Sequence, residues 1–408
     1  MPVAQRRLLI LDDDPGVGQT IELVARTAGL ETRFTSSPGQ FFEWLDQWQP
    51  DHIAIDLVMP DMDGVEVLAR LAQRSCRARI IVTSGVDGRV LDAAGRSASE
   101  RGLDIVGVLP KPFMPSTLRR MFAPDVPSSG SPGGVALAAS AGAVPHASPG
   151  VAKRFLVTPA DIREGLAHDQ FYAQYQPKIS CTDGTLVGFE ALMRWNHPVH
   201  GLVPPDLFIG CAENSGLIDT LTQKMFDLSF AWFGRHFGQS SIRLSINISA
   251  RSHLDDGFID NISQRCSQCG LAPGQLIFEL TETSAMEDPV ASLDLLTRMR
   301  MKGMHLSIDD LGTGFSSLLQ LVRLPFSELK VDKSFVITAA SSTESRQVVQ
   351  AIVGLGRSLG IQSTAEGVED AETLRFLRDI GCNFAQGFHI ARPLTAEAAA
   401  QWSGGVPA

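Results

Sequence analysis

Carboxylates dominate the residues of this 408-residue chain that can do chemistry, and they fall into two sets. In the first set, Asp12, Asp13 and Asp14 follow the run RRLLIL, Asp56 closes DHIAID, Thr83 and Ser84 close ARIIVTS, and Lys111 lies in LPKPF. In the second set, Glu190 stands in FEALMRW, Asn247 in INIS, Glu279 and Glu282 in FELTET, and Asp309 and Asp310 in IDDLGTGFSSL. Lys330 and Asp332 follow in LKVD, Glu366 and Glu369 in AEGVE, and Gln386 in AQGF. Carboxylates crowded into one place repel unless they share a cation. Oxygen and amide donors suit Mg²⁺ or Mn²⁺ rather than zinc. A carboxylate of the first set, held beside such an ion, can attack phosphorus, with Lys111 and a hydroxyl receiving the oxygens of the acyl phosphate. In the second set, adjacent Asp309 and Asp310 can serve two ions, and a pair of ions about 3.5–4 Å apart clamps an in-line displacement at phosphorus. Lys330 and Asp332, two apart on an expected strand, would point to the same side. The lysine could then hold a water in line and stabilise developing charge.

Any one of these acids alone reads as a surface or capping carboxylate. Their joint placement at successive strand ends is what points to a site, so the elements that carry them matter. Over residues 1–122, short apolar runs alternate with stretches of helical spacing such as VGQTIELVARTAG and GVEVLARLAQR. Five such repeats predict an α/β domain with a doubly wound five-stranded parallel sheet. The carboxyl ends of its strands would form the ligand crevice. Over residues 154–408 the alternation continues through eight strand candidates, FYAQYQPKI, TLVGFEALMRW, IRLSINI, QLIFEL, MHLSID, ELKVD, IQSTAE and NFAQGF. Eight strands with intervening helices predict a TIM-like (β/α)8 barrel, whose sites lie at the carboxyl ends of the strands. Between the two, residues 123–153 are rich in Ala, Pro, Gly and Ser, with no aromatic residue. A flexible linker with stiff proline points is expected there, reaching on the order of 30 Å as a coil. Such a linker is no rigid lever, so any control between the domains requires a face of the first domain that docks on the barrel or on a partner subunit.

With 44% hydrophobic and 20% charged residues, the chain has material for packed cores, which excludes disorder throughout. A formal net charge of −10 argues against broad non-specific nucleic-acid binding, and no basic recognition segment suggests direct DNA contact. Six cysteines are too few for a disulfide framework and fit a reducing compartment. No apolar run approaches the roughly 18 residues of a membrane span, so no membrane partner is expected and a cytoplasmic location is. Cys266 and Cys269 form a CxxC without further zinc ligands nearby, and His197, His200 and the aromatic stretch Phe226–Phe237 read as structural.

Residues 1–122 closely resemble the receiver domain of bacterial response regulators. That resemblance implies Asp56 as phospho-acceptor, Asp12 and Asp13 as the acidic pair, Asp13 and Asp56 as ligands of one Mg²⁺ or Mn²⁺, Thr83 and Lys111 as the phosphate-responsive pair, and a cognate sensor histidine kinase as partner. Val108 stands where many receivers carry an aromatic switch residue. From about residue 154 to 400, the motifs YQPKI, GFEALMRW, INIS, FELTET, DDLGTGFSSL, LKVD, AEGVE and QGF, in that order, resemble the EAL family of cyclic di-GMP phosphodiesterases. The resemblance implies hydrolysis of cyclic di-GMP to linear pGpG. Glu190, Asn247, Glu279 and Asp309 would ligate a first Mg²⁺ or Mn²⁺, and Asp309, Asp310 and Glu366 a second. Lys330 would hold the nucleophilic water, Glu366 could also act as general base, and Glu282 would anchor the loop after the aspartate pair. Gln176, Arg194, Asp332, Glu369 and Gln386 would face the dinucleotide. Leu311 and Phe315 replace the more usual Phe and Tyr in that loop. The family often dimerises through its barrel, so a homo-oligomer is expected. The competing reading is a receptor that binds cyclic di-GMP without cleaving it and signals through a protein partner. Such degenerate relatives usually lose metal ligands or the lysine, and this chain keeps them.

Overall fold

The computed structural model describes residues 6–122, 156–249, 252, 256–281, 289–311 and 318–402. The expected linker 123–153, Glu282 and Phe315 lie outside the described residues, as does the side chain of Asp310. In the N-terminal unit the strands are β1 (Arg7–Leu11), β2 (Glu31–Thr35), β3 (His52–Asp56), β4 (Arg79–Ser84) and β5 (Asp104–Pro110). The helices are α1 (Pro15–Thr27), α2 (Pro38–Trp48), α3 (Gly64–Gln73), α4 (Gly88–Glu100) and α5 (Pro115–Met121). The sheet is parallel in the order β2-β1-β3-β4-β5. All of β3 and nearly all of β1 and β4 is buried, as the continuous apolar runs of a strand covered on both faces require. Four of the five βα turns end in an acceptor that closes orphan amides of the next helix: Asp14 on α1, Ser37 on α2, Asp63 on α3 and Asp87 on α4, while Met114 before α5 offers none. The chain order reverses between β1 and β3, so the carboxyl ends of those two strands face one crevice.

The C-terminal unit runs α6 (Pro159–Ala167), β6 (Phe171–Ser180), β7 (Leu186–His197), β8 (Gly201–Val203), α7 (Pro205–Ser215), α8 (Ile218–Phe237), β9 (Arg243–Asn247) and α9 (Asp256–Cys269). It continues with β10 (Leu276–Thr281), α10 (Pro289–Met301), β11 (His305–Leu311), α11 (Leu318–Arg323), β12 (Glu328–Val331), α12 (Lys333–Thr338), α13 (Thr343–Leu359), β13 (Gln362–Ala365), α14 (Ala371–Asp379), β14 (Phe384–Ala385) and α15 (Ala396–Ala400). Eight strands close a ring in the order β6-β14-β13-β12-β11-β10-β9-β7, sealed by pairing of β7 with β6, while β8 hangs on the outside of β7. The eight predicted strands are all present. The barrel differs from an all-parallel one in a single respect: β6 runs antiparallel to both neighbours. The cause is local. β6 and β7 are joined by a short turn rather than a helix, with Ser180 N–H donating to Thr185 O at 2.9 Å and Gly184 at φ 72°, where a side chain would be strained.

The aromatic stretch of α8 packs on the barrel, with Phe226, Phe230 and Phe233 fully buried. Cys266 is buried in the same core and all six cysteines are free. His197 accepts the amides of Val199 and His200, a turn-stabilising role.

The two units touch. Helix α4 of the first packs along α10 of the second, so that Ala93 is buried within the barrel's own apolar core and Met301 packs against the receiver core. Charged groups frame the contact: Asp294 accepts from Ser97 and Arg101, Arg323 pairs with Glu100, and Arg298 Nε meets Asp63 Oδ2 at 2.8 Å. The docking face expected between the units is therefore α4, assisted by the start of α3.

Candidate active site

Each barrel strand brings one group to the mouth. In β6 and β7, Gln176 and Glu190 sit opposite each other in register. Glu190 lies mid-strand rather than at the strand end, because β7 continues outward to pair with β8. Asn247 ends β9 and is level with Glu279 of β10; Thr281 is level with Asp309 of β11. Lys330 lies in β12, Glu366 follows β13, and Gln386 follows β14.

These groups converge on Lys330, which is 1% exposed. Its Nζ lies 2.5 Å from Glu279 Oε2, 2.5 Å from Glu366 Oε1, 3.3 Å from Asp309 Oδ2 and 3.7 Å from Glu190 Oε1. Asn247 Nδ2 donates to Glu190 Oε1 at 2.9 Å. Gln386 Nε2 donates to Glu190 Oε2 at 2.5 Å and to Gln176 Oε1 at 3.1 Å, and Gln176 Nε2 donates to Ala391 O at 3.1 Å. Burial works against the ammonium of Lys330, but the surrounding carboxylates hold its pKa well above the usual value. Burial pushes Glu279 well above the ordinary carboxylate range, with Glu190 and Asp309 adding to the rise against the pull of Lys330. Burial likewise drives Glu366 up to about 7. For Glu190 the burial cost is outweighed by Lys330, Gln386 and Asn247, which together leave it below its ordinary value. One ammonium thus faces four buried or half-buried carboxylates. That excess of negative charge, with donors that are all oxygen or amide, fits divalent Mg²⁺ or Mn²⁺.

The outlying residues fall less neatly. Arg194 shares the face of β7 that carries Glu190, and its guanidinium is held by Gln174 Oε1 at 2.8 Å and Met193 O at 3.0 Å. The expectation that Asp332 shares a strand face with Lys330 is corrected. The β12 ladder ends at Val331, and Asp332 instead caps α12 through the Ser334 amide at 3.0 Å. Glu369 is exposed.

One buried pair escaped the sequence reading. Lys178 Nζ of β6 meets Glu328 Oε1 and Oε2 of β12 at 2.8 and 3.0 Å, and Thr364 Oγ1 of β13 donates to Glu328 at 2.9 Å. It ties the reversed strand to the strands that deliver Lys330 and Glu366. The quoted motif YQPKI contains Lys178, but its partner lies 150 residues away, beyond the reach of any local pattern.

In the receiver, one oxygen from each of Asp12, Asp13 and Asp56 lies within 4.8 Å of the others, two of these residues being buried and Asp13 exposed. Lys111 Nζ meets Asp12 Oδ2 at 2.9 Å and Asp56 Oδ2 at 3.0 Å. Asp56 Oδ1 is buried with no hydrogen-bond partner among the described residues. Burial raises Asp56 to about 6 in spite of Lys111. An orphaned carboxylate oxygen within an all-oxygen cluster fits a hard cation there as well. Thr83 is level with Asp56 across the β3–β4 pair, and its hydroxyl donates to Ile55 O at 3.3 Å. Asp14 serves as the cap of α1 and stands outside the cluster. Val108 is half-buried in β5.

Comparison with known proteins agrees with this geometry. The EAL domain model matches residues 160–393 and the response regulator receiver domain model matches residues 8–123. The chain belongs to the EAL domain family, joined to a response regulator receiver domain. It is 32% identical over 405 residues to the cyclic di-GMP phosphodiesterase RocR of Pseudomonas aeruginosa, covering 95% of this chain and 96% of that protein. It is 40% identical over 241 residues to the bifunctional diguanylate cyclase/cyclic di-GMP phosphodiesterase MucR of the same species, covering 58% of this chain but only 35% of MucR. Among solved structures, the MucR phosphodiesterase in complex with cyclic di-GMP matches with TM-score 0.56 and 40% identity, over 59% of this chain and 98% of that one. The EAL enzyme Bd1971, bound to cAMP and cyclic di-GMP, matches with TM-score 0.57 and 31% identity, over 59% of this chain and 67% of that one. Among the described residues, no helix is long and apolar enough to cross a membrane.

Proposed function

We propose that this protein is a response regulator whose barrel hydrolyses cyclic di-GMP to linear pGpG under control of phosphorylation at Asp56. The observation that carries the reading is the seat of Lys330, within 2.5–3.7 Å of four carboxylates that reach it from four different strands. Glu190, Asn247, Glu279 and Asp309 would hold one Mg²⁺ or Mn²⁺, and Asp309, Asp310 and Glu366 a second. Bound there, the cations supply Lewis acidity toward the phosphodiester and a more acidic water. The chain's own residues do the rest. Lys330 orients the water in line and meets the charge that grows on the phosphoryl oxygens. Glu366, whose Oε1 lies 2.5 Å from Lys330 Nζ, is placed to serve as general base toward that water. Gln176, Arg194 and Gln386 border the mouth where a guanylyl dinucleotide would lie; Asp332 and Glu369 are assigned to its periphery, and Glu282 to anchoring the loop after Asp310.

In the receiver, a carboxylate oxygen of Asp56 forms a bond to phosphorus as the bond from phosphorus to the donor breaks. Asp13 would share the cation with Asp56, while Lys111 and Thr83 take the phosphoryl oxygens. The donor is a sensor histidine kinase or a small acyl phosphate. Unit boundaries of 1–122, 123–153 and 154–408, a cytoplasmic setting and self-association through the barrel belong to the same reading.

The test is to incubate the purified full chain with Mg²⁺ and labelled cyclic di-GMP and to separate the products. Linear pGpG is the expected product. Tight binding without cleavage would replace the enzyme with a receptor.

A further inference from the structure

Arg89, the second residue of α4, belongs to the receiver, yet its guanidinium is spent on the barrel. Nη1 donates to Leu359 O at 2.9 Å, and Nη2 donates to Leu324 O at 3.0 Å and Leu321 O at 3.1 Å. Nearby on the same helix, Arg96 Nη2 donates to Arg323 O at 2.7 Å. All four carbonyls lie at the C-terminal ends of α11 and α13, where helix carbonyls have no partner within the helix and a cation is favoured by the helix dipole.

Those two helix ends are the points from which two site strands depart. After Leu324 come Pro325, Phe326 and Ser327, then β12 with Lys330; after Leu359 come Gly360 and Ile361, then β13, with Glu366 just beyond it. Leu321, Leu324 and Ile361 are buried in the barrel core, so the turns cannot shift without moving packed side chains. Resting on the phosphodiesterase reading above, we propose that Arg89 is a positioning residue for that site, supplied by the receiver, which fixes the take-off of β12 and β13 and hence the approach of Lys330 to Glu366. The same residue is placed to feel the receiver's state. Its amide donates to Asp87 at 2.8 Å, Asp87 Oδ2 faces Arg300 of α10 at 3.7 Å, and the turn that bears them begins directly after Thr83 and Ser84. Any rearrangement of the β4–α4 turn around a phosphorylated Asp56 is therefore applied to the two barrel turns through one side chain.

The experiment compares the full chain with Arg89→Ala, Arg89→Lys and Arg101→Ala, the last being an interface residue that bonds no barrel helix end. kcat and KM for cyclic di-GMP are measured with and without acetyl phosphate. Hydrogen–deuterium exchange is followed over residues 325–331 and 360–366. Arg89→Ala is expected to lower kcat roughly three- to tenfold with KM within about twofold, since misplacement of reacting groups falls on the chemical step. It should also erase the response to acetyl phosphate and speed exchange in both segments. Arg89→Lys should recover part of kcat, and Arg101→Ala should keep both kcat and the exchange pattern. Unchanged exchange over both segments in a folded Arg89→Ala protein overturns the proposal. So does an Arg101→Ala variant that matches it in every readout, since docking alone would then be the cause. If the parent protein cleaves no cyclic di-GMP, the phosphodiesterase reading has failed, and the exchange data still decide the role of Arg89.

Discussion

Lys330 is the residue on which the electrostatics of the barrel mouth turn, and on the proposed reading its chemistry as well. A lysine buried to 1% exposure is costly unless paired, and here it is paired several times over. The carboxylates that keep it charged are the groups that would hold cations, so the ammonium lowers the repulsion among them, and in the proposed reaction it would also face the reacting phosphate. Removing it separates binding from chemistry. Lys330→Ala should keep cyclic di-GMP affinity within about tenfold, because Gln176, Arg194 and Gln386 remain, while turnover falls at least about 10²-fold. Titration of labelled ligand alongside single-turnover rates checks the split, and an unchanged rate would make Lys330 a structural lysine. The identities of Glu190, Asn247, Glu279, Asp309, Lys330 and Glu366 were all legible in the chain. A site assembled from successive strands writes each member beside a recognisable apolar run. Asp332 was misplaced because period-two reasoning holds only while the strand lasts, and β12 ends at Val331.

At the scale of elements, the strands were more legible than their directions. An apolar run announces a strand, but only the length of the connection decides whether the next one returns parallel, and the short turn after Ser180 reverses β6. Strand β11 offers a measurable consequence of position. His305 begins it, with Nδ1 3.2 Å from Arg300 Nη1 and 3.3 Å from Ser327 Oγ. Burial, then Arg243 and Arg300, lower its pKa from 6.5 to about 4. Between those two values the unfolded chain binds a proton that the folded chain refuses. Stability from this group is therefore whole above pH 6.5 and drains away as the pH falls toward 4. His305→Asn, which keeps an acceptor toward Arg300 but cannot titrate, should flatten that part of the profile. Urea unfolding at pH 7 and pH 5 gives the comparison: the loss on acidification should be smaller in the variant, and equal losses would rule the histidine out as the cause.

For the whole molecule, the question is how two folded units separated by a Pro/Gly-rich stretch exchange information. Docking of α4 on α10 provides a surface, and the proposed control through it would be a population shift bounded by the difference in docking energy between the two receiver states. A difference of about 1.4 kcal/mol changes the docked ratio tenfold, so a graded change in rate is expected rather than an on-off switch. Asp56→Asn should abolish labelling by a small phosphodonor, whereas Thr83→Ala should not, because on the proposed reading Asp56 alone would supply the nucleophilic oxygen. Rates of the full chain, the Asp56→Asn variant and residues 154–408, each with and without acetyl phosphate, test the coupling. Identical rates throughout would leave the receiver a role in localisation or partner choice.

The order of motifs along the chain was enough to determine both domain classes and to pick out most of the residues that the structure gathers into the two acidic clusters, because strand-end positions are local in sequence and their chemistry is carried by residue type. Tertiary structure alone decided the rest. The Lys178–Glu328 pair bridges 150 residues, and Asp294 of the barrel meets Ser97 and Arg101 of the receiver across nearly two hundred. Neither unit's periodicity contains any term for the other. Nothing in the local pattern around Arg89 and Arg96 points to the barrel, and they become ligands of its helix ends only because carbonyls at those ends need donors and folding placed these within reach.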